Sequence, residues 1–383
     1  MRGGLGYNSN MERRKIGILG GTLDPVHLGH LALLRAAREQ MSLDEAVLMP
    51  AGDPPHKHCH VLAEDRLQMT RLAAAGEFAV SDAEVLRPGR TYTVDTLRRI
   101  RAERPDWDIV YAIGSDTLPN LLTWREYPEV FRLCAFATAR RPGYADEVPE
   151  GARVLWLEGD IPDISSTRIR ELAAVRAELS GFVSAPVGRY IRKRGLYLTA
   201  MPEVEAERAL RETLSPHRFS HTLGVRETAE RLANIHGLDA AAARVAGLLH
   251  DAAKCAPYIE QLRLAEGVAD ELERANPELL HAPAGMAVAR DRFGVRDPEI
   301  LSAIRNHTLG RRGMSGLELA IYVADFIEPE RGDFPGLSDV RALAEADLKA
   351  AASRCAELTY AYLGQRGSAP HPRTLELMTQ NGR

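Results

Sequence analysis

The hydrophobic pattern changes near Tyr197, and this change limits the fold more than any other feature of the sequence. Before Tyr197, short apolar runs typical of strands alternate with segments of helical periodicity. After it, apolar residues recur at helical spacing almost continuously, with Ala-rich runs. The alternation predicts a doubly wound α/β domain with a parallel sheet. The continuous helical pattern predicts an all-α domain.

The 383 residues are enough for two domains. We predict an α/β domain over residues 15–198 and an all-α domain over residues 205–365, joined by a linker at 199–204. Residues 1–14 are predicted to be a flexible extension. Residues 366–383, rich in Gly, Ser and Pro, are predicted to be a frayed tail.

Composition excludes several classes of protein. The net charge of −4 argues against a dedicated nucleic-acid binder, which has a strong basic excess. No CxxC pair occurs among the four cysteines, which argues against a zinc ribbon and for a reducing compartment. With neither a signal peptide nor an apolar run of membrane-spanning length, we expect a cytoplasmic protein that binds no membrane. The sequence leaves open whether translation starts at Met1 or at Met11.

A Gly-rich turn with two histidines joins the first predicted strand to the first helix. Glycines let backbone N–H groups approach an anion, and the start of a helix attracts negative charge. His27 and His30, three residues apart, are placed to face the same phosphate. The residues of this predicted phosphate cradle are Gly20, Gly21, Thr22, His27 and His30.

This turn resembles the HxGH motif of a nucleotidyltransferase superfamily that adenylylates phosphate-bearing acceptors. The segment Ile164–Arg170, sequence ISSTRIR, resembles the second motif of that superfamily, ISSTxIR. The resemblance implies that Ser166, Thr167 and Arg170 hold the phosphates of ATP, which binds with Mg²⁺.

Three further segments resemble the bacterial nicotinate-nucleotide adenylyltransferases. They are the PPHK loop ending at Lys57, the TYT segment with Tyr92, and IGSD followed by Trp124-Arg125. The resemblance implies a catalytic set of His27, His30, Lys57 and Arg170. It implies that nicotinate mononucleotide contacts His56, Tyr92, Thr93, Gly114, Asp116, Trp124 and Arg125. Leu23 stands where that family usually has Phe.

Two alternatives to this interpretation stay open. Pantetheine-phosphate and glycerol-phosphate relatives share the HxGH-type loop but not the other segments, and nicotinamide mononucleotide is an alternative acceptor. His58, Cys59 and His60 beside the PPHK loop raise the question of a metal, but their spacing fits no common zinc pattern.

Histidines and aspartates recur on the predicted helices of the second domain. The pair His250-Asp251 follows an apolar run, where a buried carboxylate needs a partner. One such residue or pair per helix favours a metal centre over isolated core histidines, and histidine with carboxylate suits Fe, Mn or Zn better than Ca. The candidate ligands are His221, His250, Asp251, His281, His307 and Asp325.

This pattern resembles the HD phosphohydrolase superfamily. The likeness implies a first metal held by His221, His250, Asp251 and Asp325, and a second, with Asp251 bridging, held by His281 and His307. Iron is the first choice, with Mn or Zn as alternatives.

Within that superfamily, segments such as AGLLHDAAK resemble the symmetrical diadenosine tetraphosphate hydrolases. This implies cleavage of a dinucleoside polyphosphate, with Asp251 and Lys254 as catalytic residues. Lys254 and Arg218 are candidate phosphate partners or solvated charges. The alternative is a non-catalytic nucleotide-binding or dimerisation module, and a homodimer is compatible with either interpretation.

Overall fold

The structure is a computed structural model that describes residues 13–55, 57–140 and 147–379. The chain forms two compact units. The first unit extends to Arg170 and includes Leu179–Tyr190, and the second comprises Glu171–Glu178 and the residues from Ile191 onward. The linker that we predict at residues 199–204 stays a prediction.

A six-stranded parallel sheet forms the centre of the first unit, in the order β3-β2-β1-β4-β5-β6. Its strands are β1 (Lys15–Gly21), β2 (Glu45–Pro50), β3 (Ala79–Val80), β4 (Asp108–Ala112), β5 (Ala135–Ala139) and β6 (Val154–Leu157). Helices cover both faces of such a sheet, so its central strands are continuous apolar runs. Ile16, Ile18 and Leu48 in β1 and β2 are accordingly buried.

Helices follow the strands in the alternation that the sequence predicts. They are α1 (Leu28–Met41), α2 (Ala63–Ala74), α3 (Thr93–Glu103), a 3-10 helix (Ser115–Thr123), α4 (Tyr127–Leu133), α5 (Ser166–Ala174) and α6 (Ala185–Arg194). The predicted doubly wound α/β fold is confirmed. The strand order reverses direction at β1, between β2 and β4. A ligand crevice forms at the carboxyl ends of the strands at such a point.

The second unit is helical, as predicted. Its helices from residue 203 onward are α7 (Glu203–Thr213), α8 (Pro216–Ile235), α9 (Ala240–Leu249), α10 (Tyr258–Leu264), α11 (Glu271–Ala275), α12 (Pro277–Asp291), α13 (Pro298–Asn306), α14 (Gly316–Ile327), α15 (Leu337–Ala346), α16 (Leu348–Gln365) and α17 (Pro372–Thr379). Its core consists largely of Ala, Leu, Val and Ile from α8, α9, α13, α14 and α16. None of the helices in the described residues is both long and apolar enough for a bilayer.

Small residues let α8 and α9 approach closely. A Cβ atom at Gly247 would lie 2.8 Å from the Cα of Arg226, so α9 could not keep this position with a larger residue. Ala242, Ala243 and Ala246 on α9 are fully buried. This close approach brings the end of α9 beside α8. The predicted metal ligands His250 and Asp251 directly follow α9, and the predicted ligand His221 lies on α8.

Within residues 366–383, which we predict to be a frayed tail, the described part up to residue 379 is not frayed throughout. Pro372–Thr379 forms helix α17, and Leu377 on it is buried in the core of the second unit. The Ser353 hydroxyl of α16 donates a hydrogen bond to the Leu377 carbonyl at 3.2 Å. Tertiary contacts therefore hold a helix that its short polar sequence does not predict.

Candidate functional sites

A cavity of about 840 Å³ opens at the carboxyl ends of β1 and β4 in the first unit. It brings together most of the residues that the sequence assigns to the first site. They are Gly20, Gly21, Thr22, His27, His30, Lys57, Tyr92, Thr93, Gly114, Asp116, Trp124, Arg125, Ser166, Thr167 and Arg170. His56 lies outside the described residues.

His27 and His30 cap the start of α1 for each other. The N–H of His30 donates to Nδ1 of His27 at 3.3 Å, and the N–H of His27 donates to Nδ1 of His30 at 3.2 Å. The rings stack with centroids 3.5 Å apart. Because Nδ1 is an acceptor in both rings, the neutral imidazoles carry their proton on Nε2. Each ring is therefore a donor for a phosphate oxygen.

Gly29, between these histidines, occupies a position too tight for a side chain. A Cβ there would lie 2.9 Å from the Pro162 carbonyl oxygen and 3.1 Å from Nδ1 of His27. Backbone and a capping ring cannot give way cheaply. The glycine of the HxGH motif is thus required by the packing that fixes His27.

We expect Gly29→Ala to lower the free energy of unfolding by about 1–3 kcal/mol, since it overpacks this contact. The matched control is Gly188→Ala in α6, where the nearest atom that a Cβ would meet in the described part of the chain is on Val183, at an ordinary 3.7 Å. Alanine there favours the helix by up to about 1 kcal/mol. Urea unfolding followed by circular dichroism measures both. Equal stability of the two variants would contradict the steric argument.

The start of α5 contributes hydroxyls and a guanidinium to the same cavity. Ser166 Oγ donates to the Pro25 carbonyl at 2.9 Å, and Arg170 Nη1 donates to the Asp24 carbonyl at 2.8 Å. Arg170 Nη2 also donates to Thr167 Oγ1 at 3.1 Å. These bonds fasten α5 to the turn after β1. Two helix N-termini therefore face the cavity, an arrangement that favours a polyphosphate.

An aromatic region forms another part of the cavity wall. The Trp124 ring makes edge contacts with Tyr111 and Phe136, at centroid distances of 6.1 and 6.2 Å. The Arg125 guanidinium lies 4.6 Å above the Tyr92 ring. Trp124 thus packs against the core and lines the cavity at once, and a planar ring beside it would find an apolar surface.

Two buried charged residues at this site escaped the sequence analysis. Arg66 on α2 donates to the carbonyls of Thr22, Ala51 and Gly52, so it fastens the cradle to the loop after β2. Its position on the buried stripe of α2 was the available sign. Glu84 lines the cavity and accepts from Thr96 Oγ1 at 2.6 Å. Burial raises the pKa of Glu84 despite that hydrogen bond.

Among the described residues, every cluster of three or more candidate metal ligands lies in the second unit, away from the loop with His58, Cys59 and His60. His60 instead bonds Asp24: its N–H donates to Oδ2 at 2.7 Å. Burial raises the pKa of the Cys59 thiol, which disfavours a thiolate ligand.

The second unit brings all six predicted metal ligands together. One group lies around Nε2 of His221, which is 3.1 Å from Asp325 Oδ1 and 3.8 Å from Asp251 Oδ2. His250 Nε2 lies 3.5 Å from the same Asp251 oxygen. On its other side, Asp251 Oδ1 lies 3.4 Å from His281 Nε2 and 3.6 Å from His307 Nε2. Asp251 thus stands between two groups of histidines.

Contacts at Nδ1 orient three of these rings. His250 Nδ1 donates to the Gly247 carbonyl and His307 Nδ1 to the Ile304 carbonyl, each at 2.7 Å. His221 Nδ1 lies 3.2 Å from Glu328 Oε1. A proton held on Nδ1 leaves Nε2 as a lone-pair donor, which is how metal-binding histidines are oriented.

These donor atoms fit a divalent transition metal. Among the described residues, His221 Nε2, His250 Nε2 and Asp251 Oδ1 are buried and have no partner in hydrogen-bond geometry, which is costly unless a ligand satisfies them. Three groups of ligand atoms, each within 4.8 Å, share these residues: His221-His250-Asp251, His250-His307-Asp325 and Asp251-His281-His307. Imidazole with carboxylate suits Fe, Mn or Zn.

Burial and charge tune the protonation of the ligands. Burial lowers the pKa of His250 to about 4 and of His281 to about 3, so both rings are neutral near pH 7. Burial also disfavours the ionised form of Asp251, but the neighbouring His250 and His307 hold its pKa well below the usual range. Neutral imidazoles and an ionised carboxylate are the forms that bind metal.

Basic side chains surround the ligands. Arg218 Nη1 donates to Asp251 Oδ2 at 2.9 Å. Lys254 Nζ lies 3.2 Å from His281 Nδ1 and 3.5 Å from Glu278 Oε2. The sequence left both cations as phosphate partners or solvated charges. In the structure, each contacts a predicted metal ligand, Arg218 through Asp251 and Lys254 through His281.

Glu328 and Thr308 also belong to this site and escaped the sequence analysis. Glu328 is buried beside His221. Thr308 Oγ1 lies 3.1 Å from Nε2 of both His281 and His307. Each stands in a segment that carries a predicted ligand, but neither residue type signals metal chemistry by itself.

We expect Glu328→Gln to weaken metal binding by about 10–100-fold, as loss of a carboxylate behind a histidine ligand does. The amide keeps the shape but loses the charge that orients His221. The control is Glu330→Gln, an exposed residue that accepts from Ser220 Oγ. Calorimetric titration with Mn²⁺ measures both. Wild-type affinity in Glu328→Gln would exclude this role.

Comparison with known proteins gives a match to each unit. Residues 18–172 match the cytidylyltransferase-like family model, and residues 218–349 match that of the HD domain. A probable nicotinate-nucleotide adenylyltransferase of Geobacter sp. (strain M21) is 36% identical over 49% of this chain and 99% of the relative. Another, from Frankia casuarinae, is 45% identical over 47% of this chain and 98% of the relative.

Two solved structures are also similar to parts of the chain. One is described as a predicted HD superfamily hydrolase involved in NAD metabolism from Clostridium acetobutylicum: 36% identity, TM-score 0.45, 47% of this chain and 98% of that one. The other is the Plasmodium falciparum nicotinic acid mononucleotide adenylyltransferase complexed with NaAD. It is 18% identical, with a TM-score of 0.41, and the match covers 48% of this chain and 97% of that one. From the near full-length matches to its curated relatives, the chain belongs through its first half to the nicotinate-nucleotide adenylyltransferase family, and it carries an HD domain in its second.

Proposed function

We propose that the first unit transfers AMP from ATP to nicotinate mononucleotide, giving nicotinate adenine dinucleotide and pyrophosphate. The observation that carries this proposal is the cavity at the carboxyl ends of β1 and β4. It combines two histidines fixed as donors, the start of α5 with Arg170, and an aromatic wall beside Trp124. The curated relatives that match this half bear the name of the same activity.

The chemistry requires positioning more than proton transfer. A phosphate oxygen of the mononucleotide bonds to the α-phosphorus of ATP, and the bond from that phosphorus to the bridging oxygen of pyrophosphate breaks. The attacking phosphate is already ionised near neutral pH, so no strong base is needed. The enzyme must bring two anions together and stabilise the developing charge. We assign that role to His27, His30, Lys57 and Arg170.

Magnesium would enter this site with ATP. All clusters of three or more ligand atoms found in the described residues lie in the second unit. Mg²⁺ is commonly held by substrate phosphates with few protein ligands. When bound, it would neutralise charge on those phosphates, and the chain's own cations would complete the neutralisation.

The test is a comparison of acceptors in a pyrophosphate-release assay with ATP and the full chain. Nicotinate mononucleotide, nicotinamide mononucleotide, phosphopantetheine and glycerol 3-phosphate are compared by kcat/KM. We expect the first to be preferred. Preference for any of the others would reject this assignment of the acceptor.

For the second unit, we propose metal-dependent hydrolysis of a dinucleoside polyphosphate, diadenosine tetraphosphate to two ADP. The six convergent ligands support this, since a binding or dimerisation module needs no such set. The bound ions, iron first with Mn or Zn as alternatives, would supply an activated water and charge neutralisation. Arg218 and Lys254 would then contact the phosphate chain.

Hydrolysis by the full chain is measured with Fe²⁺, Mn²⁺ or Zn²⁺ and after removal of metal with a chelator. We expect ADP as the product, loss of hydrolysis on chelation, and recovery on adding metal back. Metal bound without hydrolysis of any dinucleoside polyphosphate would favour the binding-module alternative. Hydrolysis that persists in fully chelated protein would reject the metal assignment.

A further inference from the structure

The turn from Asn306 to Gly310 carries His307 and Thr308 into the second site. It begins at the last residue of α13, and the Gly310 N–H donates to the Asn306 carbonyl at 2.8 Å. The His307 ring is oriented by the carbonyl of Ile304, in the last turn of α13. The position of His307 Nε2 therefore depends on the conformation of this turn.

A single side chain from α17 holds both ends of that turn. Arg373 Nε donates to the Gly310 carbonyl at 2.9 Å, and Arg373 Nη2 donates to Oδ1 of Asn306. Its remaining nitrogen, Nη1, donates to Glu273 Oε1 at 3.2 Å. The guanidinium thus uses all three nitrogens, which only the planar fork of arginine can do.

The neighbours of Asn306 leave its side chain one arrangement. Asn306 Nδ2 donates to Glu318 Oε1 at 2.7 Å and to the Ser302 carbonyl at 2.9 Å. Both amide protons are used, so its oxygen is the atom that accepts from Arg373. Asn306 and Glu318 are buried, and Glu318 is further held by Arg311.

A separate apolar contact seats α17 on the unit. A Cβ at Gly310 would lie 2.7 Å from Leu377 Cδ2, so Leu377 packs directly on the turn. Loss of the Arg373 head group alone would leave this contact in place. The polar and apolar attachments of α17 can therefore be separated by substitution.

We propose that α17 is a positioning element of the second site and that Arg373 is a positioning residue for the ligand His307. The expected effect on ion binding rests on the proposed metal site. The contacts of Arg373 with the turn do not depend on it. Removing the guanidinium takes away one hydrogen bond at each end of the turn, so we expect the position of His307 to loosen while His221, His250 and Asp325 keep theirs.

The experiment compares Arg373→Met with the full-length wild type. The matched control is Arg354→Met on α16, a half-buried arginine paired with Glu357 at 2.8 Å. Hydrogen exchange of peptides across residues 306–314 reports the turn without metal. Calorimetric titration with Mn²⁺ measures the number of bound ions and their affinities. The binding event that weakens in His281→Ala identifies the ion that uses His281 and His307.

In Arg373→Met we expect exchange in the turn to rise by about tenfold and the affinity for that ion to fall by about tenfold, the lower end for an outer residue of a metal site. Arg373→Lys keeps a cation beside Glu273 but cannot reach all three acceptors, so it should show the same direction. Arg354→Met should match wild type in both measurements.

Unchanged exchange in the turn of Arg373→Met would overturn the proposal, as would faster exchange spread over α8 and α9, which would indicate loss of the whole unit. If exchange rises in the turn while the wild type binds no ion, the positioning contact stands and the metal proposal fails. The two failures are thus distinguishable.

Discussion

His30→Ala should lower adenylyl transfer by about 10²–10³-fold, as loss of one preorganised donor to a developing charge does. His30 lines the cavity, and because its Nδ1 accepts from the backbone N–H of His27, the neutral ring carries its proton on Nε2. The same substitution removes half of a reciprocal helix cap, which costs about 1 kcal/mol of stability. The catalytic loss should therefore greatly exceed the structural one.

Pyrophosphate release at saturating ATP measures the first effect, and thermal melting followed by circular dichroism measures the second. The control is His217→Ala, an exposed histidine on α8 outside the cavity. Near-normal turnover in His30→Ala would remove this histidine from the mechanism. A melting temperature far below that of the control would instead indicate that the cap dominates.

Asp251→Asn should abolish the hydrolysis that we propose for the second unit and leave adenylyl transfer unchanged. Both carboxylate oxygens face histidine Nε2 atoms, Oδ2 toward His221 and His250 and Oδ1 toward His281 and His307. Breaking a buried charge interaction costs about 3–5 kcal/mol, which corresponds to roughly 10²–10⁴ in affinity for the ions.

Mn²⁺ titration and ADP release measure these losses, and pyrophosphate release confirms that the first unit is intact. Asp291→Asn is the matched control, since Asp291 is exposed and pairs only with its neighbour Arg290 in the contacts described. Should Asp251→Asn bind two ions as tightly as wild type, the bridging role would be wrong.

The sheet and the helical unit could be predicted because their patterns are local. Ile16–Leu19 and the other strands are apolar runs bounded by turns, and the segments between them have helical periodicity. Helix α17 could not be predicted, because eight residues with little apolar character form a helix only through tertiary contacts such as that of Leu377.

The candidate sites divide in the same way. His27 and His30 stand within one short motif, and His250-Asp251 within another, so spacing alone points to them. Arg66, Glu328 and Arg373 do not, because their partners are distant in sequence: Glu328 lies 107 residues from His221 and Arg373 lies 67 residues from Asn306. Residues that position others are recognised only when the fold brings the partners together.

The two histidines that follow directly after helices have a consequence for protein engineering. His250 and His307 each stand one residue past the end of a helix and bond the carbonyl three residues earlier. In such a ligand, four consecutive residues contain both the histidine and the carbonyl that orients its ring, so the segment could be transferred to the end of another helix. His221 is different, because its ring is oriented by the carboxylate of Glu328 at the end of α14. A ligand of this kind must be transferred together with its partner.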